Sequence, residues 1–277
     1  MNSERYSWKL LVLEIFMIAL ALLVFFPIVF VLMNSVKSLS EVTLSMLSLP
    51  KAVHPENFSI VLDRMNYFGS LANSLLISLS AVVGVVLFAS MAAYQIVRRK
   101  SLATKALFYS LLLSMAIPFQ ALMVPLVIVA RELKLMNKPW GMIIICWGFL
   151  LPMSTFLYQG YIKSVPREME EAARIDGCAP IPLFFLIVFP VIKPITVSII
   201  ILTFLGVFND FTLPLIMLTT RATRTIPMAV STFFGSYLTE WHLVMASLTI
   251  TIVPLLVFFL FMQKHIIKGM ADGAIKG

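Results

Sequence analysis

Charge is what this sequence has least of. Asp, Glu, Lys and Arg make up 12% of its 277 residues, about half the share found in a soluble domain, and a mean hydropathy of +0.99 marks an integral membrane protein. Sites of chemistry are scarce as well. No stretch fits GxxxxGK[ST], which excludes an ATPase within this chain. Cys146 and Cys178 have no redox or metal-ligand spacing, and the topology read below sets them at different depths, so no disulfide is expected. His54, His242 and His265 are scattered, with neither a metal cluster nor a Ser/His/Asp set around them. Basic residues are not interleaved with aromatics, and no nucleic-acid partner is expected.

What is abundant is uninterrupted apolar sequence. Crossing about 30 Å of hydrocarbon takes about 20 helical residues, and six runs qualify: 10–33, 71–97, 106–130, 140–162, 183–208 and 243–263. The fifth is the least clean, because Pro190, Lys193 and Pro194 interrupt it. Barrel strands would alternate over about ten residues; these runs are longer and apolar on every face. The expected fold class is therefore all-α, a single polytopic membrane domain over 1–277. Arg5 and Lys9 ahead of the first run raise the question of a cleavable signal peptide, but Glu14 inside that run and the lack of a small-residue cleavage site favour an uncleaved first span.

Orientation follows from Lys and Arg in the flanking segments. With the N-terminus inside, twelve fall on the cytoplasmic side (Arg5, Lys9, Arg98, Arg99, Lys100, Lys105, Lys163, Arg167, Arg174, Lys264, Lys268, Lys276) and eight opposite (Lys37, Lys51, Arg64, Arg131, Lys134, Lys138, Arg221, Arg224). This bias places both termini in the cytoplasm. Two longer external loops, 34–70 and 209–242, then stand on a chain with no soluble domain; either something outside docks on them or they only link helices.

A cytoplasmic polar segment, 164–182, separates the fourth and fifth runs. Ser164 is expected to cap a helix of about three turns behind Pro166. Glu168, Glu170 and Glu171 would suit the positive end of its dipole, and Gly177 would stop it. Met169, Ala172, Ala173 and Asp176 share one face at spacings of three and four. Small residues there leave a smooth surface that a partner's groove could grip. Pro180 and Pro182 then set a second short element at an angle, making a knob. An amphipathic helix resting on lipid is the alternative, but the segment is net acidic and its apolar face lacks Trp and Phe.

The stretch EAARIDGCAPIPLFFLIVFP, Glu171 to Pro190, resembles the EAA loop of the membrane subunits of bacterial ABC importers. Glu171-Ala172-Ala173, three residues, Gly177, nine residues and Ile187 match in identity and spacing, with Phe189-Pro190 where Leu-Pro is usual. LKLMNKPWGMII, FLYQGYIKSVPREMEEAARIDG, FNDFTLPLIML and the C-terminal GMADGAIKG are similar to the carbohydrate-uptake, maltose-type subfamily, in particular its shorter permease. Asn73-Ser74, Pro118 and Pro125 fit it too; residues 1–70 match mainly in layout.

The resemblance implies a permease half-channel, paired with a second homologous permease in the lipid of a bacterial inner or plasma membrane. Two cytoplasmic ATPase subunits would carry the ATP and Mg²⁺, with none bound by this chain, and an extracytoplasmic binding protein would deliver cargo. The knob would seat in an ATPase cleft, with Glu171 as polar anchor, Ala172 and Ala173 packing closely beside Asp176, and Gly177 making the backbone turn. The tail, 264–277, would reach the ATPase dimer as well.

A sugar path calls for aromatic faces and a few hydrogen-bonding groups. Phe204, Phe208, Asn209, Asp210 and Phe211, Tyr94 and Gln95, and Tyr158 and Gln159 are the candidates, although aromatics near span ends also form interfacial belts. Asn209 and Asp210 could equally fix the adjoining loop. Lys193 is expected near the cytoplasmic face, snorkelling or bonded to the knob. Two rivals stand beside the sugar importer. An ion-coupled carrier needs ionisable residues deep in its spans, and Glu14 is the single acid there. An importer of a glycerol-phosphate or polyol would favour Arg or Lys in the pore, and none is placed for it.

Overall fold

The computed structural model describes residues 8–235 and 239–274, without the side chains of Lys9 and of His265 onward. Arg5, the Lys9 side chain, His265 and the expected tail contact thus lie outside the described groups. In chain order the helices are α1 (Trp8–Ser35), α2 (Leu39–Leu44), α3 (Glu56–Arg64), α4 (Tyr67–Arg98), α5 (Leu102–Met115), α6 (Phe119–Glu132) and α7 (Pro139–Ile162). They continue with α8 (Glu168–Ile175), α9 (Pro180–Leu183), α10 (Phe189–Val191), α11 (Lys193–Phe208), α12 (Thr212–Met217), α13 (Ile226–Val230) and α14 (Trp241–Ala274). Among the described residues there is no strand, only an isolated bridge between Phe234 and Thr239. The chain is all-α.

Four helices, α1, α4, α7 and α14, are long and apolar enough to cross a membrane, and the number rises to six if each of two bent pairs is one span. The apolar run 106–130 is one such pair: α5 and α6 meet at 108°. Pro118 sits in extended geometry (φ −65°, ψ 137°) between them, and proline disfavours the helical region for the residue before it. The run 183–208 is the other, turning by 80° after α10. There a π-helical turn, Phe184–Val188, leads into Pro190, and Ile192 leaves helical geometry (φ −85°, ψ 9°) just before Lys193 and Pro194.

The residues form two compact units, one reaching to Tyr67 and including Val230–Leu256, the other Phe68–Ala229 with the chain from Val257. In the first, polar side chains organise the segment after α1. Asn34 donates to the Phe30 and Met46 carbonyls, and Asn57 to those of Ser35 and Lys37, all within 3.0 Å. Lys37 is fully buried, its ammonium 3.3 Å from the Ser45 and Met46 carbonyls. Backbone that would otherwise be orphaned is thus satisfied by side chains. Arg64 pairs with Glu240 at 2.7 Å.

In the second unit, α4, α6, α7, α11 and α12 contribute Ile77, Ala130, Met142, Val207 and Met217 to one apolar core. Trp147 of α7 lies over Gly84 of α4 and donates to the Ser80 carbonyl at 3.1 Å. A Cβ at Gly84 would overlap the indole, so only glycine permits this approach of the two helices.

Candidate functional site: the knob between α7 and α11

The last turns of α7 decide where the knob begins. Ser164 and Val165 direct their N–H groups back to Tyr161 and Ile162, and the Ser164 hydroxyl also donates to Tyr161 O at 2.8 Å. Ser164 therefore closes α7 instead of capping α8, a correction to the sequence-based expectation. Helix α8 starts at Glu168, with the Arg167 carbonyl taking the first N–H groups from Glu170 and Glu171. It has eight residues, two turns where three were expected. No side chain caps it, so Glu168, Glu170 and Glu171 stabilise its first turn by charge against the dipole.

Its end is a Schellman turn. Gly177 N–H reaches Arg174 O at 3.0 Å and Cys178 N–H reaches Ala173 O at 2.9 Å, with Gly177 at φ 82°. Nothing lies within 4 Å of where a Gly177 Cβ would sit. Backbone conformation, not crowding, selects glycine here.

The two faces of α8 differ in kind. Met169, Glu171, Ala172 and Asp176 are exposed and Ala173 is half-buried. Ile175 beside them and Ile181 on α9 are exposed over 86% and 68% of their surface. On the opposite face Glu170 is buried. Its carboxylate accepts from Arg98 Nε at 2.7 Å and the Tyr94 hydroxyl at 2.8 Å, and from Arg174 at 3.3 Å. Arg98 also donates to Val165 O at 3.0 Å, and the Tyr94 ring meets Phe184 at 5.3 Å. One turn of α4, Tyr94 to Arg98, thus touches the knob before α8, within it and after it.

Sequence reading missed this arrangement. It took Arg98 as a topology signal, Tyr94 as a path candidate and Glu170 as one of three dipole partners. Nothing local links groups more than seventy residues apart in the chain.

The path candidates fall into two sets. Tyr158, Phe204 and Phe208 are buried. Tyr158 donates to Thr196 at 3.1 Å, and Phe204 stacks between Phe208 and Phe258, with centroids 5.5 and 3.9 Å away. Gln159 is buried as well, whereas Gln95 and Phe211 are exposed. Asn209, exposed, donates to Leu205 O at the end of α11. Asp210, half-buried, accepts from Thr212 N at 2.9 Å at the start of α12. Lys193 is exposed at the start of α11. Among the described residues no three His, Cys, Asp or Glu side chains gather as a metal site.

At the other end of α4, Asn73 donates to the carbonyls of Ala222 and Arg224 at 2.8 and 3.1 Å. Ser74 Oγ accepts from Ile226 N at 2.9 Å. Asn137, at φ 58°, accepts from Thr219 N at 2.6 Å. The 217–226 segment is held by side chains of α4 and of the turn before α7. Between the bent α5–α6 pair and α7 lies a groove of about 620 Å³, with Phe119 and Phe149 edge to face on its wall.

Residues 85–272 match the family described as binding-protein-dependent transport system inner membrane component. The melibiose/raffinose/stachyose import permease of Bacillus subtilis is 34% identical, over 91% of this chain and 92% of its own. The multiple sugar-binding transport system permease of Streptococcus mutans is 33% identical over 98% of each. The arabinooligosaccharides transport system permease of B. subtilis is 30% identical, over 100% of this chain and 99% of its own. In fold, the chain is similar to a chain of a bacterial ABC transporter involved in import of the acidic polysaccharide alginate, with a TM-score of 0.79 over 95% of this chain and 98% of that one, at 20% identity. This multi-pass membrane chain, with its polar knob between two apolar helices, belongs to the family of binding-protein-dependent transport system inner membrane components.

Proposed function

We propose that this chain is one of two permease halves of a bacterial ABC importer for a sugar or oligosaccharide. The observation that carries the reading is the likeness, over nearly its whole length, to permeases named for such cargo. Each bent pair counts as one span, giving six, with both termini in the cytoplasm by the Lys and Arg bias. A second homologous permease completes the channel, since six helices from one chain enclose only half of it.

The knob seats in a cleft of a cytoplasmic ATPase, two copies of which hold ATP and Mg²⁺. Glu171 anchors it, Ala172 and Ala173 allow close approach, and Asp176 and Gly177 form the turn. The exposure of Met169, Glu171, Ala172, Ile175 and Asp176 supports this, because a two-turn helix gains little by leaving such a face to water. Closure of the ATPases then pulls on the spans at both ends of the knob and opens the channel outward. A binding protein delivers cargo at 34–70 and 209–242. Asn209 and Asp210 have surface to offer along the path, while Tyr158, Phe204 and Phe208 shape it from behind.

The test is purification of the tagged chain from gently solubilised membranes, with and without Gly177→Asp, followed by mass spectrometry and an ATP hydrolysis assay. A P-loop ATPase and a second permease are expected with the wild type, and loss of the ATPase with the variant. A chain that purifies alone would move the ion-coupled carrier to first place.

A further inference from the structure

Two points of attachment on α4 lie twenty residues apart, Ser74 and Tyr94, which a helix spans in about 30 Å. At one, Asn73 and Ser74 hold the 222–226 segment by three hydrogen bonds of 2.8–3.1 Å. At the other, Tyr94 and Arg98 hold the buried carboxylate of Glu170. Neither attachment is soft. The Glu170 carboxylate has three donors from two helices, and Arg98 adds a bond to Val165 before the knob starts. Between them α4 is unbroken and packed on α7 through Gly84 and Trp147.

A knob joined to the spans only through Val165 and Cys178 could rock on those two connections. With Glu170 seated in the last turn of α4 it cannot do so without carrying α4 along. We infer that Glu170 is a positioning residue that locks the knob to α4 through Arg98 and Tyr94, so that α4 acts as a rigid strut carrying knob movement to the 222–226 segment. The inference rests on the reading of the knob as an ATPase-docking element. It assigns Glu170 a task distinct from that of Glu171, its exposed neighbour. A rigid helix with a hydrogen-bonded attachment at each end is one of the physical elements that carry coupling between distant sites, and α4 has both attachments.

The test uses the assembled transporter in lipid nanodiscs, in a Cys146→Ser, Cys178→Ser background. An environment-sensitive bimane is placed at Glu168→Cys on the knob or at Ala222→Cys on the far segment, and Mg-ATP is the probe. In the wild-type strut both positions are expected to respond. With Glu170→Gln the knob label still responds, while the Ala222 label loses its response about fivefold or more, the lower range of measured allosteric coupling. Arg98→Lys keeps the charge but breaks the fork shared between Glu170 and Val165, and an intermediate loss is expected; it also serves if Glu170→Gln fails to accumulate.

An Ala222 response unchanged in both variants overturns the strut. So does its absence in the wild type while the knob label responds. If the wild-type knob label itself ignores Mg-ATP, the docking reading fails, and the strut falls with it. Loss of both responses together in Glu170→Gln, with the ATPase released, would make Glu170 a docking residue and not a strut.

Discussion

Two ion pairs in this molecule close at the same 2.7 Å, yet they are different objects. In the first unit Arg64 and Glu240 leave 51% and 33% of their side-chain surface exposed. In the second, Arg98 and Glu170 leave 10% and 2%. The exposed pair attracts through water and counter-ions, and such pairs contribute about 0–1 kcal/mol. The buried one has surrendered its hydration. Tyr94 and Arg174 complete the shell that water would otherwise supply, and removing one partner strands the other's charge. Distance alone does not rank ion pairs; what else can solvate each charge does.

The strongest way to break this comparison is Glu170→Ala. It should cost about 3–5 kcal/mol, because Arg98 is left without its carboxylate, and thermal unfolding in detergent would report it. Removing the pair as a unit, Glu170→Leu with Arg98→Leu, should cost less than either single change. A double variant worse than both would mean that the pair adds stability beyond satisfying its own charges.

Next in size is Gly177→Ala, at about 1–2 kcal/mol for a side chain forced into left-handed geometry. Hydrogen exchange at Cys178 N–H should rise while the Glu170 contacts stay intact, since no atom stands where the Cβ would go. This separates backbone strain from lost electrostatics within a single knob.

Arg64→Ala should change stability by no more than about 1 kcal/mol. Raising the salt from about 0.1 M to 1 M, which shortens the screening length from about 10 to 3 Å, should erase even that difference and leave the cost of Glu170→Ala standing. The smallest effect belongs to Glu56. Its carboxyl is held below its ordinary 4.5, first by its own backbone N–H and then by the His54 ring. A lowered carboxyl contributes above its unfolded pKa and loses that contribution as pH falls through the folded value. Proteolysis of the 36–66 segment should therefore accelerate only below pH 4.5, and Glu56→Gln should flatten the dependence.

The same contrast explains what the sequence disclosed. Apolar runs announced helices because a chain in hydrocarbon must satisfy its backbone internally, and Gly177 announced a helix end because left-handed geometry excludes most other residues. Glu170 and Glu171 are identical and adjacent, and only about 100° of helical rotation separates the buried one from the exposed one. No local pattern says which side α4 will occupy. Arg98 stood first in a basic triplet that reads as topology, although packing turned it inward. Ser164 misled because capping residues serve either neighbour, and here the carbonyl of Tyr161 captured it. The aromatics of α11 suggested a sugar path from their residue type alone; that Phe204 stacks on Phe258 and is almost wholly buried depends on a helix more than fifty residues away in the chain.

The bend between α5 and α6 carries a consequence for the surrounding lipid. Across the 108° break the regular helical ladder stops and is recovered only locally: the Leu113 and Ser114 carbonyls accept from Ala116 and Ile117 N–H at 3.1 and 3.4 Å, and Pro118 has no N–H to offer. Fatty acyl chains can neither donate nor accept, and each such group abandoned to them costs several kcal/mol. Wherever this elbow, exposed at residues 116–118, meets the bilayer core, its interrupted backbone favours water or a protein neighbour over acyl chains.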